Sequence, residues 1–338
     1  MEYRKLIKFG NSSYVISLPK DWITKQNLQK GEIIYFEEND ASDLVISGKK
    51  NSNKEGKKVI SLHIDGMTER QIELEIIASY MKDFSRIVLT GNEIAKRDKE
   101  IRDILKRLVA IEVIEQTKDK IVAKDFLNLE EIKIPDLRKR LDTVVRSMIT
   151  DSKIGNGKEN YESINIRDYD ANKFAYVILR VIRRGFEQPS VRKSLGVSLL
   201  ELVYEQLVIL AIERIGDRAK RIAREDSRSS ITKSEIAELN KVYDMIFENY
   251  QDAIKAYTKK EYELSCKSFS RNRDILAECD KIRSKHHSPG AIKIVYLLRE
   301  MSQKVSELGE IGFMAAESTI SKKSFEQKTD AEAEQKPL

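Results

Sequence analysis

Glu213 and Asp217 are the residues whose type and spacing most invite chemistry, standing four apart in the run Ile212-Glu-Arg-Ile-Gly-Asp-Arg-Ala219. On a helix that spacing points both carboxylates the same way, just beside an apolar stripe of Val208, Ile212, Ile215, Ala219 and Ile222. Two anions so placed repel by a few tenths of a kcal/mol, and by more where they are partly buried. Something positive must offset them, either a bound cation or bases such as Arg221. Hard oxygen ligands suit Mg, Mn, Ca or Fe better than a thiolate-loving metal. Ordinary ion pairs with neighbouring Arg and Lys are the plainer account, and both stay open.

Other chemistries find less support. Cys266 and Cys279 lie outside any CxxC or Cys/His spacing and read as reduced, partly buried thiols. His63, His286 and His287 sit in no ExxH or HExxH setting, which argues against a zincin or a ferritin-type di-iron enzyme. No nucleophile stands with a base, and no Walker-type glycine cradle or convergent histidine accompanies the carboxylates, so a metal-dependent hydrolase is disfavoured. The expectation is a protein that is not an enzyme and carries no organic cofactor.

The elements that must position these residues follow from composition and period. A chain of 338 residues is long enough for two or three domains, and 34% charged with 7% aromatic residues suits long amphipathic helices. No stretch approaches the ~20 apolar residues of a membrane span, and MEYRKLIKFGNSS lacks the apolar core of a signal peptide. A cytoplasmic protein without membrane insertion is expected. A net charge of +6 is small for this length, so any nucleic-acid surface must come from local clustering.

Residues 1–48 read as short alternating strands, RKLIKF and YVISL around the turn GNSS, then a short helix after Pro19, the Gly31 turn, and strands EIIYFEE and DLVIS. So small a set of hairpins is marginal alone, which favours interleaving with a second copy. KKNSNKEGKK, with five lysines against Glu55, is a linker. Residues 59–130 alternate strand, helix, strand, helix and a hairpin turning at Lys118 to Lys120, the pattern of a small α/β unit. Its role is not legible, and a small-ligand sensor or a rigid spacer would both fit. After Pro135 strand signals vanish, and two sets of three helices occupy 135–228 and 232–320, ahead of a small, charged tail over 321–338 expected to be disordered. Arg167-Asp168 and Ala171 match Arg273-Asp274 and Ala277 in the middle helices, and Val203-Tyr204 matches Val295-Tyr296 in the third, so the triplets read as a duplication. Asp274 and Glu278 are the later copy's middle-helix acids. In its third helix Val305 stands where Glu213 does and Gly309 where Asp217 does. Arg180, Arg183 and Arg184 form a basic helix face, read as solvated or open to an acidic partner.

Two resemblances sharpen this reading. Gly10-Asn11-Ser12, Ser17-Leu18-Pro19, Leu28 and Gly31, in that order within alternating strands, resemble the SpoVT/AbrB swapped-hairpin family, with Gly31-Glu32 where Gly-Asp is usual. The resemblance implies a homodimer whose copies weave one barrel, with Arg4, Lys5, Lys8 and Lys20 on DNA phosphates and Asn11 and Ser12 adding hydrogen bonds. Over residues 1–47 six basic residues meet seven acidic ones, with the positive charge bunched at the front. Ile212 to Ala219, with Asp168-x-x-x-Asn172 before Arg180, resembles the PhoU family in the variety found in archaea. That resemblance implies two tandem three-helix bundles restraining phosphate uptake with a transporter or sensor kinase as partner, and metal ions at E/DxxxD positions: Asp168, Asn172, Glu213 and Asp217, then Asp274 and Glu278. The expected fold is thus mainly α, the PhoU-like bundles preceded by the α/β unit and an N-terminal swapped-hairpin β-barrel. The expected function is a phosphate-responsive regulator that binds DNA through its front module. An adaptor that uses the barrel only to dimerise is the alternative.

Overall fold

A computed structural model describes residues 3–38, 44–48, 58–286 and 288–316. The lysine-rich linker over 49–57 and the tail over 321–338 lie outside the described residues. The chain divides into two compact units, Met1–Lys58 and Val59–Leu338.

In the first unit β1 (Ile7–Phe9) and β2 (Ser13–Val15) form an antiparallel hairpin, and β3 (Tyr35–Glu38) and β4 (Leu44–Ser47) form another. Between the pairs runs α1 (Lys20–Lys25), which begins after Pro19. The first hairpin turns through Gly10-Asn11-Ser12, and Gly10 has φ +70°, a conformation that side-chain-bearing residues rarely adopt. Alternation puts Ile7, Phe9 and Val15 on one face of this hairpin and Lys8 and Tyr14 on the other. Nothing among the described residues covers the apolar face: Ile7 is 58% exposed and Phe9 70%. Among the described residues of this unit none is buried.

The second unit opens with β5 (Val59–His63), α2 (Glu69–Met81), β6 (Arg86–Thr90), α3 (Ile94–Lys106), β7 (Ile111–Gln116) and β8 (Lys120–Asp125). The sheet order is β5-β6-β8-β7, with β5 and β6 parallel and the other pairs antiparallel. Strand β6 shows why: in RIVLT, Ile87 and Leu89 are wholly buried while their neighbours are not. Thr68 and Gln71 close a capping box at the start of α2, and Ile72, Ile76 and Tyr80 follow along its buried face. With Ile101 and Ile104 of α3 they make a core separate from the one that follows.

Among the described residues seven α-helices follow: α4 (Ile134–Asp151), α5 (Gly157–Glu187), α6 (Pro189–Leu195), α7 (Leu199–Arg228), α8 (Lys233–Lys259), α9 (Tyr262–Lys285) and α10 (Pro289–Ala315). α4, α5 and α7 pack on one another, as do α8, α9 and α10, and α7 against α10 joins the triplets through one continuous core. The stripe on α7 sits in that core, with Val208, Ile212, Ile215, Ala219 and Ile222 fully buried. Each large aliphatic side chain so placed contributes about 1.5–3 kcal/mol relative to exposure. Ser198 with Glu201 and Thr232 with Glu235 supply capping boxes that start α7 and α8. The short helix α6 was not expected; Pro189 opens it and Gly196, at φ +67°, closes it.

One close approach gives a prediction of unusual sign. A Cβ on Gly309 would lie 2.9 Å from the backbone nitrogen of Phe269, where α10 crosses α9. Gly to Ala inside a helix ordinarily stabilises by up to about 1 kcal/mol. Gly309→Ala is expected instead to destabilise by about 1–3 kcal/mol, because backbone must move to admit the methyl group. Urea unfolding followed by helix circular dichroism checks it, and an unchanged or raised midpoint would show that the helices are not that close.

Candidate functional site

The acidic cluster is built by α5 and α7 facing each other. Asp168 of α5 is buried, and Lys220 of α7 donates to its Oδ2 at 2.5 Å. The same ammonium lies 3.3 Å from Asp217 Oδ1, while Arg218 and Arg221 hold Asp217 Oδ2 at 2.8 and 2.9 Å. The Asn172 amide donates weakly to Asp168, at 3.4 Å. Glu213, a turn before Asp217, has neither a hydrogen bond nor an ion pair among the described residues.

These surroundings set the proton affinities. Burial, then the charges of Asp217 and Asp168, push the Glu213 carboxyl up to about 7. Burial also raises Asp168, with Lys220 pulling only part of the way back. Burial works against the Lys220 ammonium, but Asp168 and Asp217 outweigh it and hold it above the ordinary lysine range. The cluster is thus a pair of buried-edge carboxylates neutralised by an internal ammonium, with a third carboxyl poised to hold its own proton.

Lys220 already pairs with both Asp168 and Asp217, and among the described residues no three His, Cys, Asp or Glu side chains gather to hold an ion. As arranged, these residues fit an ion-pair network and not a metal cluster. The later pair is apart from it: Asp274 is 70% exposed beside Arg273, and Glu278 pairs with Lys281 at 2.6 Å on the α9 surface. Val305 is in the core and Gly309 sits at the helix crossing, so the second triplet uses those two positions for packing. Lys220 was the residue that sequence reading missed, although its i, i+3 relation to Asp217 on a helix could have found it.

The basic face of α5 is corrected by the structure. Arg180 is 2% exposed and donates to both Asp83, beyond α2, and Asp125, at the end of β8, with its guanidinium 4.0 Å over the Tyr80 ring. Arg184 reaches Asp83 as well. Despite burial, Arg180 and Arg184 together hold the Asp83 carboxyl below the usual carboxylate range. The acidic partner of this face is therefore the chain's own α/β unit; only Arg183, paired with Glu187, is substantially solvated.

At the front module Arg4, Lys5, Lys8, Asn11, Ser12 and Lys20 are all exposed. Lys8 stands on β1, Asn11 and Ser12 form the hairpin turn, and Lys20 begins α1. The turn and strand thus present short polar and basic side chains at one hairpin end, a geometry suited to phosphate oxygens.

A family model described as antidote-toxin recognition MazE, bacterial antitoxin, matches residues 7–55. The match supports an AbrB-like module at the front of the chain, a kind that commonly dimerises and is compatible with DNA-binding regulation. It lies within the first compact unit and covers none of the helical body. No curated protein and no solved structure matches the chain. No single helix among the described residues is long and apolar enough to cross a membrane.

Proposed function

We propose that the chain is a phosphate-responsive regulator that binds DNA as a dimer through its front module and takes its signal at a PhoU-like helical body. The observation that carries the first half is the exposed apolar face of Ile7, Phe9 and Val15 with Lys8 on the opposite face. An apolar strand face exposed among the described residues suits a second copy, and pairing two copies would gather two sets of basic hairpins on one surface. The second half rests on the resemblance of Ile212 to Ala219 and Asp168 to Asn172, and on two helix triplets sharing one core. In this reading the acidic cluster is a charge-balanced seam between α5 and α7, and a transporter or sensor kinase is the partner of the helical body.

The test has two arms. Phe9→Asp is expected to convert a dimer to a monomer by light scattering, because burying an unpaired carboxylate in the dimer core costs several kcal/mol. DNA retention should then fall at least tenfold. For the parent protein retention should drop steeply with salt, as phosphate contacts require. A dimer with no salt-dependent retention would favour an adaptor that only dimerises. Genome-wide DNA capture from phosphate-rich and phosphate-starved cells should enrich phosphate-uptake promoters in one condition only; equal or absent enrichment overturns the phosphate assignment.

A further inference from the structure

At the end of the helical body where α4 and α7 begin and α8 and α10 end, a cavity of about 440 Å³ opens. Its walls are largely apolar, from Ile134, Pro135, Leu200 and Met314, with Tyr204 and Tyr257 adding aromatic surface. That volume and lining are those of small-molecule sites, which pair apolar walls with a few placed polar groups.

The placed group is Glu205, 9% exposed on α7. Its Oε2 is fully engaged: Arg138 donates to it, and so does the Tyr257 hydroxyl at 2.8 Å. Its Oε1 is buried and has no hydrogen-bond partner among the described residues. A buried carboxylate oxygen without a donor is costly and uncommon in native proteins. The other charges do not fill it. Lys260 lies 3.2 Å from Glu201 at the rim, and Glu201 also accepts from the Ser198 cap, so those two satisfy each other and the helix start. Arg138 already sits 5.1 Å over the Tyr257 ring, so the walls tolerate positive charge.

We propose that this cavity binds a small organic ammonium, a protonated amine on an apolar body, whose N–H donates to Glu205 Oε1 while the body packs against Leu200 and Met314. An ammonium meets an ionised acceptor with a charge-assisted bond. A carboxylate or phosphate ligand would instead place a second anion beside Glu205. The inference is independent of the front module and of the acidic cluster on α5 and α7.

The probe is hexylammonium, titrated against the full chain by ligand-observed NMR, with hexanol and hexanoate as matched controls. Saturable hexylammonium binding is expected, at least tenfold tighter than for either control. Glu205→Gln should weaken it at least tenfold by replacing the charged acceptor. Should that variant fold poorly, Leu200→Trp serves in its place: Leu200 is 58% exposed, so the larger ring narrows the mouth without disturbing the core, and it too should weaken binding at least tenfold. Absence of saturation, equal binding of hexanoate or hexanol, or hexylammonium binding unchanged in Leu200→Trp would each overturn the assignment. So would a Leu200→Trp variant that changes only the mass in solution, because the mouth would then be covered by a second copy.

Discussion

Arg180→Met is expected to cost the helical body about 3–5 kcal/mol, the range for removing one partner of a buried ion pair. Methionine preserves the apolar stem that packs near Tyr80 and removes only the guanidinium. What remains is two carboxylates in a site where the arginine side chain is 1% exposed, Asp125 8% and Asp83 17%. Asp83 keeps Arg184, but among the described residues Asp125 keeps only the backbone N–H of Leu127 as a donor to Oδ1. The double variant Arg180→Met with Asp125→Asn should therefore recover more than about 1 kcal/mol of the loss, a coupling that contacting residues show and distant ones do not. Arg183→Met, where both partners are nearly half-exposed, should stay within about 0.5 kcal/mol. The readout is helix circular dichroism, because the single tryptophan, Trp22, lies in the first unit and not in the helical body. Equal costs at Arg180 and Arg183 would show that the α/β unit does not dock on α5 through this residue.

The contrast between those arginines marks what the sequence could and could not say. Strands and helices over 59–130 were legible because their signals are local: Ile87 and Leu89 alternate within five residues, and the hairpin turn announces itself in Lys118 to Lys120. The stripe on α7 was legible for the same reason, since period alone places Val208 to Ile222 on one face. Arg180 was not, because its partners stand 97 and 55 residues away and nothing local distinguishes a buried arginine from a solvated one. Reading three arginines within five positions as a surface was the reasonable error. Of the acidic cluster the types and faces were visible; the ammonium that settles its charge was not singled out, because Lys220 must cross from α7 to Asp168 on α5. The cavity around Glu205 was beyond reach altogether, since four helix ends build it.

That same cluster sets the second large effect, a pH dependence that reverses the usual sign for an acidic residue. A Glu213 carboxyl holds its proton up to about pH 7 in the folded chain and only to its ordinary 4.5 when unfolded. Between those values the folded state binds more protons, so stability falls as pH rises, by at most about 1.4 kcal/mol per pH unit. Below pH 4.5 both states are protonated and the penalty is absent; above pH 7 it is complete. Glu213→Gln is isosteric, carries no charge and gives up no hydrogen bond seen among the described residues. It is expected to stabilise the protein by up to roughly 3 kcal/mol at pH 8, to match the parent near pH 4.5, and to flatten the slope between. Some slope should persist, because Asp168 is raised in the same direction. Asp274→Asn, on the exposed face of α9, should change nothing. Urea midpoints across pH 4.5 to 8 decide the matter, and they also separate the two accounts of this site. A cation bound between Glu213 and Asp217 would make the carboxylate a ligand, and then Glu213→Gln would destabilise at pH 8 and do so more strongly when Mn or Mg is added. Stabilisation at pH 8, indifferent to those ions, is the signature of carboxylates balanced by Lys220.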